Sequence, residues 1–264
     1  MLVEVGLGVA VGAVMALTGA GGGILAVPLL VFGAGLDVAQ AAPIGLLAVG
    51  IAGALGAGLG LKNKVVRYRA ALLMGATGML LAPGGVLLAQ RIDNRWLSVL
   101  FALVLLYVAW RSVRDARNAQ DDAAAHPGAV CTRSGDTGRF IWTLSCARAL
   151  ALSGSAAGLL SGLLGVGGGF VIVPALRRYS DLTMHSIVPT SLTVIALVSL
   201  SGIVSNVLSD NLNWAVAVPF ASGALAGMLA GGMLASRLAG AQMQRGFGAV
   251  SAAVAVGMVM KSLT

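Results

Sequence analysis

The chain predicts an all-α polytopic membrane protein with about eight hydrophobic helical segments in two duplicated four-segment halves, the first and fifth segments broken at glycine-rich runs. Three observations lead there. Of 264 residues, 58% are hydrophobic and 10% charged, too little polar surface for a soluble globule of this size. The charges cluster, leaving eight stretches free of Asp, Glu, Lys and Arg: residues 5–36, 38–61, 70–90, 96–110, 149–176, 182–209, 211–236 and 246–260. Most are long enough for the ~20 residues of a spanning helix. Finally, GAGGGILAVP at 19–28 returns as GVGGGFVIVP at 165–174, and the offset of 146 also pairs Gly12 with Gly158, Pro43 with Pro189, Gly85 with Gly231, Arg91 with Arg237 and Phe101 with Phe247 without a gap. Such self-similarity marks an internal duplication.

The first repeat is expected over residues 1–111, with segments one to four. Its runs are long and continuous rather than short and alternating, which favours helices over barrel strands. No Lys or Arg precedes Lys62 and the first apolar run is long, so a cleavable signal peptide is not expected. Residues 112–139 form the one long hydrophilic stretch, with Asp121, Asp122, Pro127, Gly128 and Gly135 among small polar residues, and read as a linker. The second repeat, residues 140–264, carries segments five to eight. Its last segment is short, as is segment four of the first half.

The formal charge of +8 comes from basic residues at segment ends without interleaved aromatics, which fits positive-inside topology and not a nucleic-acid partner. If all eight segments cross, 11 Lys and Arg lie on the linker side against 6; if segments one and five dip in and return, the split is 14 against 3. The second layout obeys the orientation rule better and makes the halves an inverted repeat. Both layouts place the linker in the cytoplasm of a bacterial-type inner membrane. Cys131 and Cys146 are too few for a disulfide framework and lack metal-ligand spacing, so neither a redox role nor a metal or other cofactor is expected.

The chemistry is expected at the two breaks. Consecutive glycines cost a helix about 1 kcal/mol each relative to alanine, and Pro28 lacks an amide hydrogen while its ring obstructs the carbonyl of Ile24. A half-helix restarting after the glycines aims free amides and the positive end of its dipole at the break, and without Cβ atoms a small anion can approach closely. The candidate substrate-binding residues are therefore Gly19, Gly21, Gly22, Gly23 and Pro28 in the first half and Gly165, Gly167, Gly168, Gly169 and Pro174 in the second. PTSLT at 189–193 replaces PIGLL at 43–47 and adds Thr190, Ser191 and Thr193 as donors, with Ser199, Ser201, Ser205 and Asn206 further along. No carboxylate or lysine lies well inside an apolar segment, which disfavours a buried proton relay.

The glycines could serve helix packing alone, making the chain a non-transporting scaffold. Ser153 and Ser155 with His185 are similar to the dyad of an intramembrane serine protease, but His185 lies near the end of its segment, so no catalytic residues are assigned. Arg177 and Arg178, which match Val31 and Phe32 under the offset, read as anchors at the membrane surface.

The doubled glycine run ending in proline, with PTSL at 189–192 and the Gly-rich segments ending at Arg91 and Arg237, resembles the sulfite exporter TauE/SafE family of membrane permeases over nearly the whole chain outside the linker. The resemblance implies a non-enzymatic carrier of sulfite, thiosulfate, sulfonates or related small anions. It also implies that the two glycine runs correspond to the two family motifs. Ile44 and Gly45 depart from the hydroxyl pair of the second half, which argues against equal contributions from both repeats.

Overall fold

The computed structural model describes residues 2–18, 21–118, 131, 143–238, 251, 253–255 and 257–258. Among them the chain is helical: α1 (Leu2–Thr18), α2 (Gly21–Gly33), α3 (Val38–Lys62), α4 (Tyr68–Arg91), α5 (Asn94–Asn118), α6 (Leu144–Leu164), α7 (Gly169–Tyr179), α8 (Met184–Leu208) and α9 (Trp214–Leu238). The described residues from 251 to 258 are helical as well. Among the described residues six helices are long and apolar enough to cross a membrane: α3, α4, α5 over Asn94–Arg111, α6, α8 and α9 over Trp214–Met233.

At both glycine runs the chain doubles back. A Cβ on Gly22 would run into the backbone of Val11 and Met15, and one on Gly33 would lie 2.5 Å from Leu7; in one straight helix Leu7 and Gly33 would be about 39 Å apart. In the second half a Cβ on Gly168 would lie 2.6 Å from the Ala157 carbonyl. The other ends of α6 and α7 are tied through Cys131, which is disulfide-bonded to Cys146 and whose N–H donates to Tyr179 O at 2.8 Å. Segments one and five are thus helical hairpins, α1–α2 and α6–α7. Their turns fall at the glycines and not at the prolines: Pro28 and Pro174 lie inside α2 and α7, which continue past them.

The duplication is visible in the backbone. Adding 146 carries α3 from Val38–Lys62 onto Met184–Leu208, and the turns that follow match bond for bond. Lys64 and Asp210 both have left-handed backbone (φ 57° and 52°); Lys64 N–H donates to Leu61 O and Asp210 N–H to Val207 O. These equivalent helices meet at the centre, where Gly50 lies against Ser199, Gly53 against Ile195, Gly56 against Leu192 and Gly60 against Pro189. One number rises as the other falls, so α3 and α8 are antiparallel and the halves form an inverted repeat.

Each hairpin packs on the opposite half. Gly8 and Gly12 of α1 press against Phe220, Ala224 and Met228 of α9, while Gly223 and Gly227 meet Val5 and Val9. Symmetrically, Gly154, Gly158 and Gly162 of α6 meet Met74, Gly78 and Ala82 of α4, and a Cβ on Gly158 would collide with the Gly78 backbone. Lipid tails are as apolar as Leu, so association inside a bilayer relies on such close approach of small residues. Many large apolar side chains point outward: Leu80, Leu152 and Met233 are 79%, 71% and 82% exposed, tolerable only where lipid covers them. Exposed Trp96 and Trp214 stand at one end of the bundle, and Tyr68, Tyr107 and Trp110 at the other, as in the aromatic belts of membrane proteins.

One expectation is corrected. Cys131 and Cys146, too few for a disulfide framework by count, nonetheless form one disulfide. Both are buried, and Asp181 N–H adds a weak bond to Cys131 O at 3.4 Å. Sequence spacing could not reveal the pair, because Cys131 meets the ends of α6 and α7 only in the fold.

Candidate functional site

The two hairpin tips meet at the centre of the molecule, between α3 and α8. A Cβ on Gly23 would lie 2.6 Å from the Val166 carbonyl, one on Gly45 would lie 3.1 Å from that of Gly165, and Gly165 itself abuts the backbone of Ala42. On the other side Gly167 faces Val49, Ile195 and Ser199, at 2.7, 3.0 and 3.4 Å from where its Cβ would stand. Gly22, Gly23, Gly165, Gly167, Gly168 and Gly169 are all buried. Both α2 and α7 begin here, so two helix N-termini, related by the inverted repeat, converge on one buried place.

The second tip is the more elaborate. Gly165 ends α6 with left-handed backbone (φ 71°), its N–H bonded to Ser161 O at 2.8 Å, and Gly167 and Gly168 are left-handed too (φ 74° and 71°). Three such residues in four confine the positions to glycine, since a Cβ there costs roughly 1–2 kcal/mol each. They also turn the chain so that α7 starts facing inward. The amides of Gly167, Gly168, Gly169 and Phe170 find no acceptor among the described residues, as expected at a helix start. The available chemistry is therefore that of oriented N–H groups and a helix dipole with its positive end inward.

Two hydroxyls join them. Ser199 and Ser161 are fully buried, and neither Oγ has a hydrogen-bond partner. Ser199 lies beside Gly167 and Gly50. The offset relates Ser161 to Met15 and Ser199 to Gly53, and Met15 Cε reaches to 3.5 Å from where a Cβ on Gly53 would be. Where the first half packs a methionine against a glycine, the second half places two unsatisfied hydroxyls. A buried hydroxyl without a partner costs about 1–3 kcal/mol, so native proteins keep few of them.

The hydroxyls singled out from the sequence are arranged otherwise. Thr190 Oγ1 donates to Ser186 O at 2.6 Å and accepts from Arg67 N–H at 3.1 Å, which ties the α3–α4 turn to α8. Ser191 donates to Val188 O and Thr193 to Pro189 O, at 2.7 and 2.9 Å. This is the back-bonding common to Ser and Thr in apolar helices. Ser201 reaches across to Met79 O of α4 at 2.8 Å, and Asn206 Nδ2 donates to Gly202 O. Ser199 is the member of this hydroxyl-rich segment that faces a tip, and only the register of α8 against the hairpin singles it out. Ser161 carried no sequence signal beyond its match to Met15. Gly21, Gly22 and Gly23 are already helical, and Gly19 lies outside the described residues. Pro28 and Pro174 sit a turn or more beyond the tips.

Among the described residues no three His, Cys, Asp or Glu gather as metal ligands would. Nor are Ser153 and His185 brought together: Ser153 Oγ donates to Ala149 O at 2.7 Å, and His185 is exposed in the first turn of α8.

A family model described as "Sulfite exporter TauE/SafE" matches residues 5–258. The chain belongs to the sulfite exporter TauE/SafE family. It is 29% identical over 233 residues to the probable membrane transporter protein YunE of Bacillus subtilis (strain 168), covering 84% of this chain and 83% of that one. A probable membrane transporter protein of Xylella fastidiosa (strain Temecula1) is 30% identical over 230 residues, 86% of this chain and 82% of its own. One from Methanocaldococcus jannaschii is 26% identical over 230 residues, covering 85% and 79%. No solved structure matches the chain at a significant level. The chain is thus an integral membrane transporter of the TauE/SafE family.

Proposed function

We propose that this TauE/SafE member is an inner-membrane permease for small anions, of the sulfur oxyanion or organosulfonate class: sulfite, thiosulfate, sulfoacetate or a taurine-like sulfonate. The observation that carries the reading is the convergence of two helix N-termini on a buried, carboxylate-free centre. Such ends bind anions through backbone N–H groups and dipole, and the oxygens of a tetrahedral or pyramidal anion suit several amides at once. The glycine tips form the cradle, with Ser199 and Ser161 as the hydroxyl donors. Thr190, Ser191 and Thr193 support it by fixing α8. Because the tips are buried, the anion reaches them when one inverted repeat rocks against the other, in alternating access.

In this reading the hairpins are re-entrant, entering the bilayer and returning to the side they came from. Lys62, Lys64, Arg67, Arg69, Arg111, Arg114, Arg148, Arg177 and Arg178 then share the linker end, against Arg91 and Arg95 opposite, and the positive-inside rule puts the linker end in the cytoplasm. The Cys131–Cys146 disulfide lies at that end.

The test of function is uptake of labelled sulfite, thiosulfate and taurine into proteoliposomes of the purified chain. Saturable flux of at least one, competed by the others, is expected; no flux of any of them in folded protein contradicts the reading. Topology has its own check. With Cys131 and Cys146 replaced by Ser, a Val3→Cys variant should react with a membrane-impermeant thiol reagent added outside intact cells, and protection until the cells are opened contradicts the re-entrant layout.

A further inference from the structure

Away from the tips, a groove of about 560 Å³ runs between α5 and the α6–α7 hairpin. Its walls are apolar, with Leu103 and Val104 on α5, Leu152, Ala156 and Leu160 on α6, and Phe170 on α7. At one end stand Arg111, Arg178, Tyr107 and Tyr179. Leu103 and Leu152 are 59% and 71% exposed, so the groove opens onto the surface that faces lipid. Along α6 it extends from Ala149 to Leu160, about 16 Å of helix, which matches half of the ~30 Å hydrocarbon core. The groove therefore runs the depth of one leaflet.

Its basic end lies at the height of the headgroups. Tyr107 and Trp110, both exposed, mark the interface on α5, and Arg111 Nη1 donates to Tyr107 Oη at 3.3 Å. Arg178 is exposed in the last turn of α7. The inverted repeat shows that the pair is special to this half. The offset carries Arg178 onto Phe32 and Arg111 onto Gly257, and there the Phe32 ring packs 3.2 Å from where a Cβ on Gly257 would be. A contact closed by an aromatic ring in one half is replaced in the other by two guanidinium groups on opposite walls of a groove.

We propose that this groove is a binding site for an anionic phospholipid of the linker-side leaflet, its phosphate seated between Arg111 and Arg178 and an acyl chain lying along Leu103, Leu152, Leu160 and Phe170. Guanidinium forks match phosphate oxygens bidentately, and basic pockets between membrane helices at the cytoplasmic side select acidic headgroups. The apolar walls fit a lipid and not a free anion, because a small hydrated ion gains nothing from a 16 Å aliphatic trough. Since α6 and α7 form the second hairpin, a bound lipid braces the support of that tip. The inference rests on the membrane setting alone and stands whether or not sulfur anions are the substrate.

The test is native mass spectrometry of the full chain in neutral detergent, with phosphatidylglycerol, phosphatidylcholine or inorganic phosphate added. Phosphatidylglycerol should be retained in preference to phosphatidylcholine. The preference should fall by about thirtyfold in Arg111→Gln/Arg178→Gln, at roughly 1 kcal/mol of headgroup attraction per arginine. Ala156→Phe, which fills the trough and leaves both arginines, should lose both lipids. Equal retention of the two lipids, an unchanged preference in the double variant, or displacement of phosphatidylglycerol by equimolar inorganic phosphate would each overturn the proposal. Should the double variant fail to fold, the salt dependence of the wild-type preference decides: it falls as salt rises if the arginines hold the phosphate, and is unchanged if they do not.

Discussion

The two hairpin tips come from one duplicated motif, yet they are built differently. In the first half α1 ends at Thr18 and α2 starts at Gly21, already helical through the glycines. In the second, four residues separate α6 from α7, three of them left-handed glycines, and two unpartnered hydroxyls stand nearby. The first half fills the equivalent space with Met15 against Gly53. The comparison teaches that the inverted repeat supplies the architecture, two helix ends meeting at a centre, while the second half supplies the polar chemistry. In the proposed site, symmetry gives the position and the broken symmetry gives the polar groups that would select an anion.

Stability gives the largest expected difference. Gly168→Ala combines left-handed strain with a clash at the Ala157 backbone and should cost about 3 kcal/mol or more. Gly23→Ala, at a helical φ against Val166 O and Val49, should cost about 1–2 kcal/mol. Thermal melting in detergent ranks the pair, and a reversed order would mean that the first tip is the more constrained. Transport comes next: Ser199→Ala should lower apparent anion affinity by roughly ten- to a hundredfold, the worth of one hydrogen bond to a charged group. Ser201→Ala, whose hydroxyl serves Met79 O, should change affinity by less than about twofold while costing ~1 kcal/mol of stability. The smallest effect belongs to a glycine outside both tips. At Gly84, inside α4, a Cβ meets nothing within 4 Å, so Gly84→Ala should be neutral or raise stability by up to about 1 kcal/mol.

Much of this was legible in the sequence for physical reasons. The all-helical class followed from long uncharged runs, and the family from a doubled GxGGG ending in proline, because glycine clusters in lipid leave few alternative structures. Tertiary register was not legible. Thr190, Ser191 and Thr193 looked like donors, but a hydroxyl in a helix bonds the carbonyl one turn back unless something better faces it. Ser199, eight residues after Ser191, faces a tip only because α3 and α8 cross antiparallel at Gly50. Neither the closure of Cys131 on Cys146, 15 residues away, nor the placing of Arg111 and Arg178 on one groove is written in a local sequence pattern.

The central claim, that two opposed helix starts and the hydroxyls beside them hold an anion, is tested most directly by counterflow of a labelled sulfur anion in proteoliposomes of wild type and Ser199→Ala. The account predicts saturable counterflow in the wild type and a weakened apparent affinity in the variant, with its melting temperature preserved. Equal affinity in both proteins, with flux intact, would contradict it.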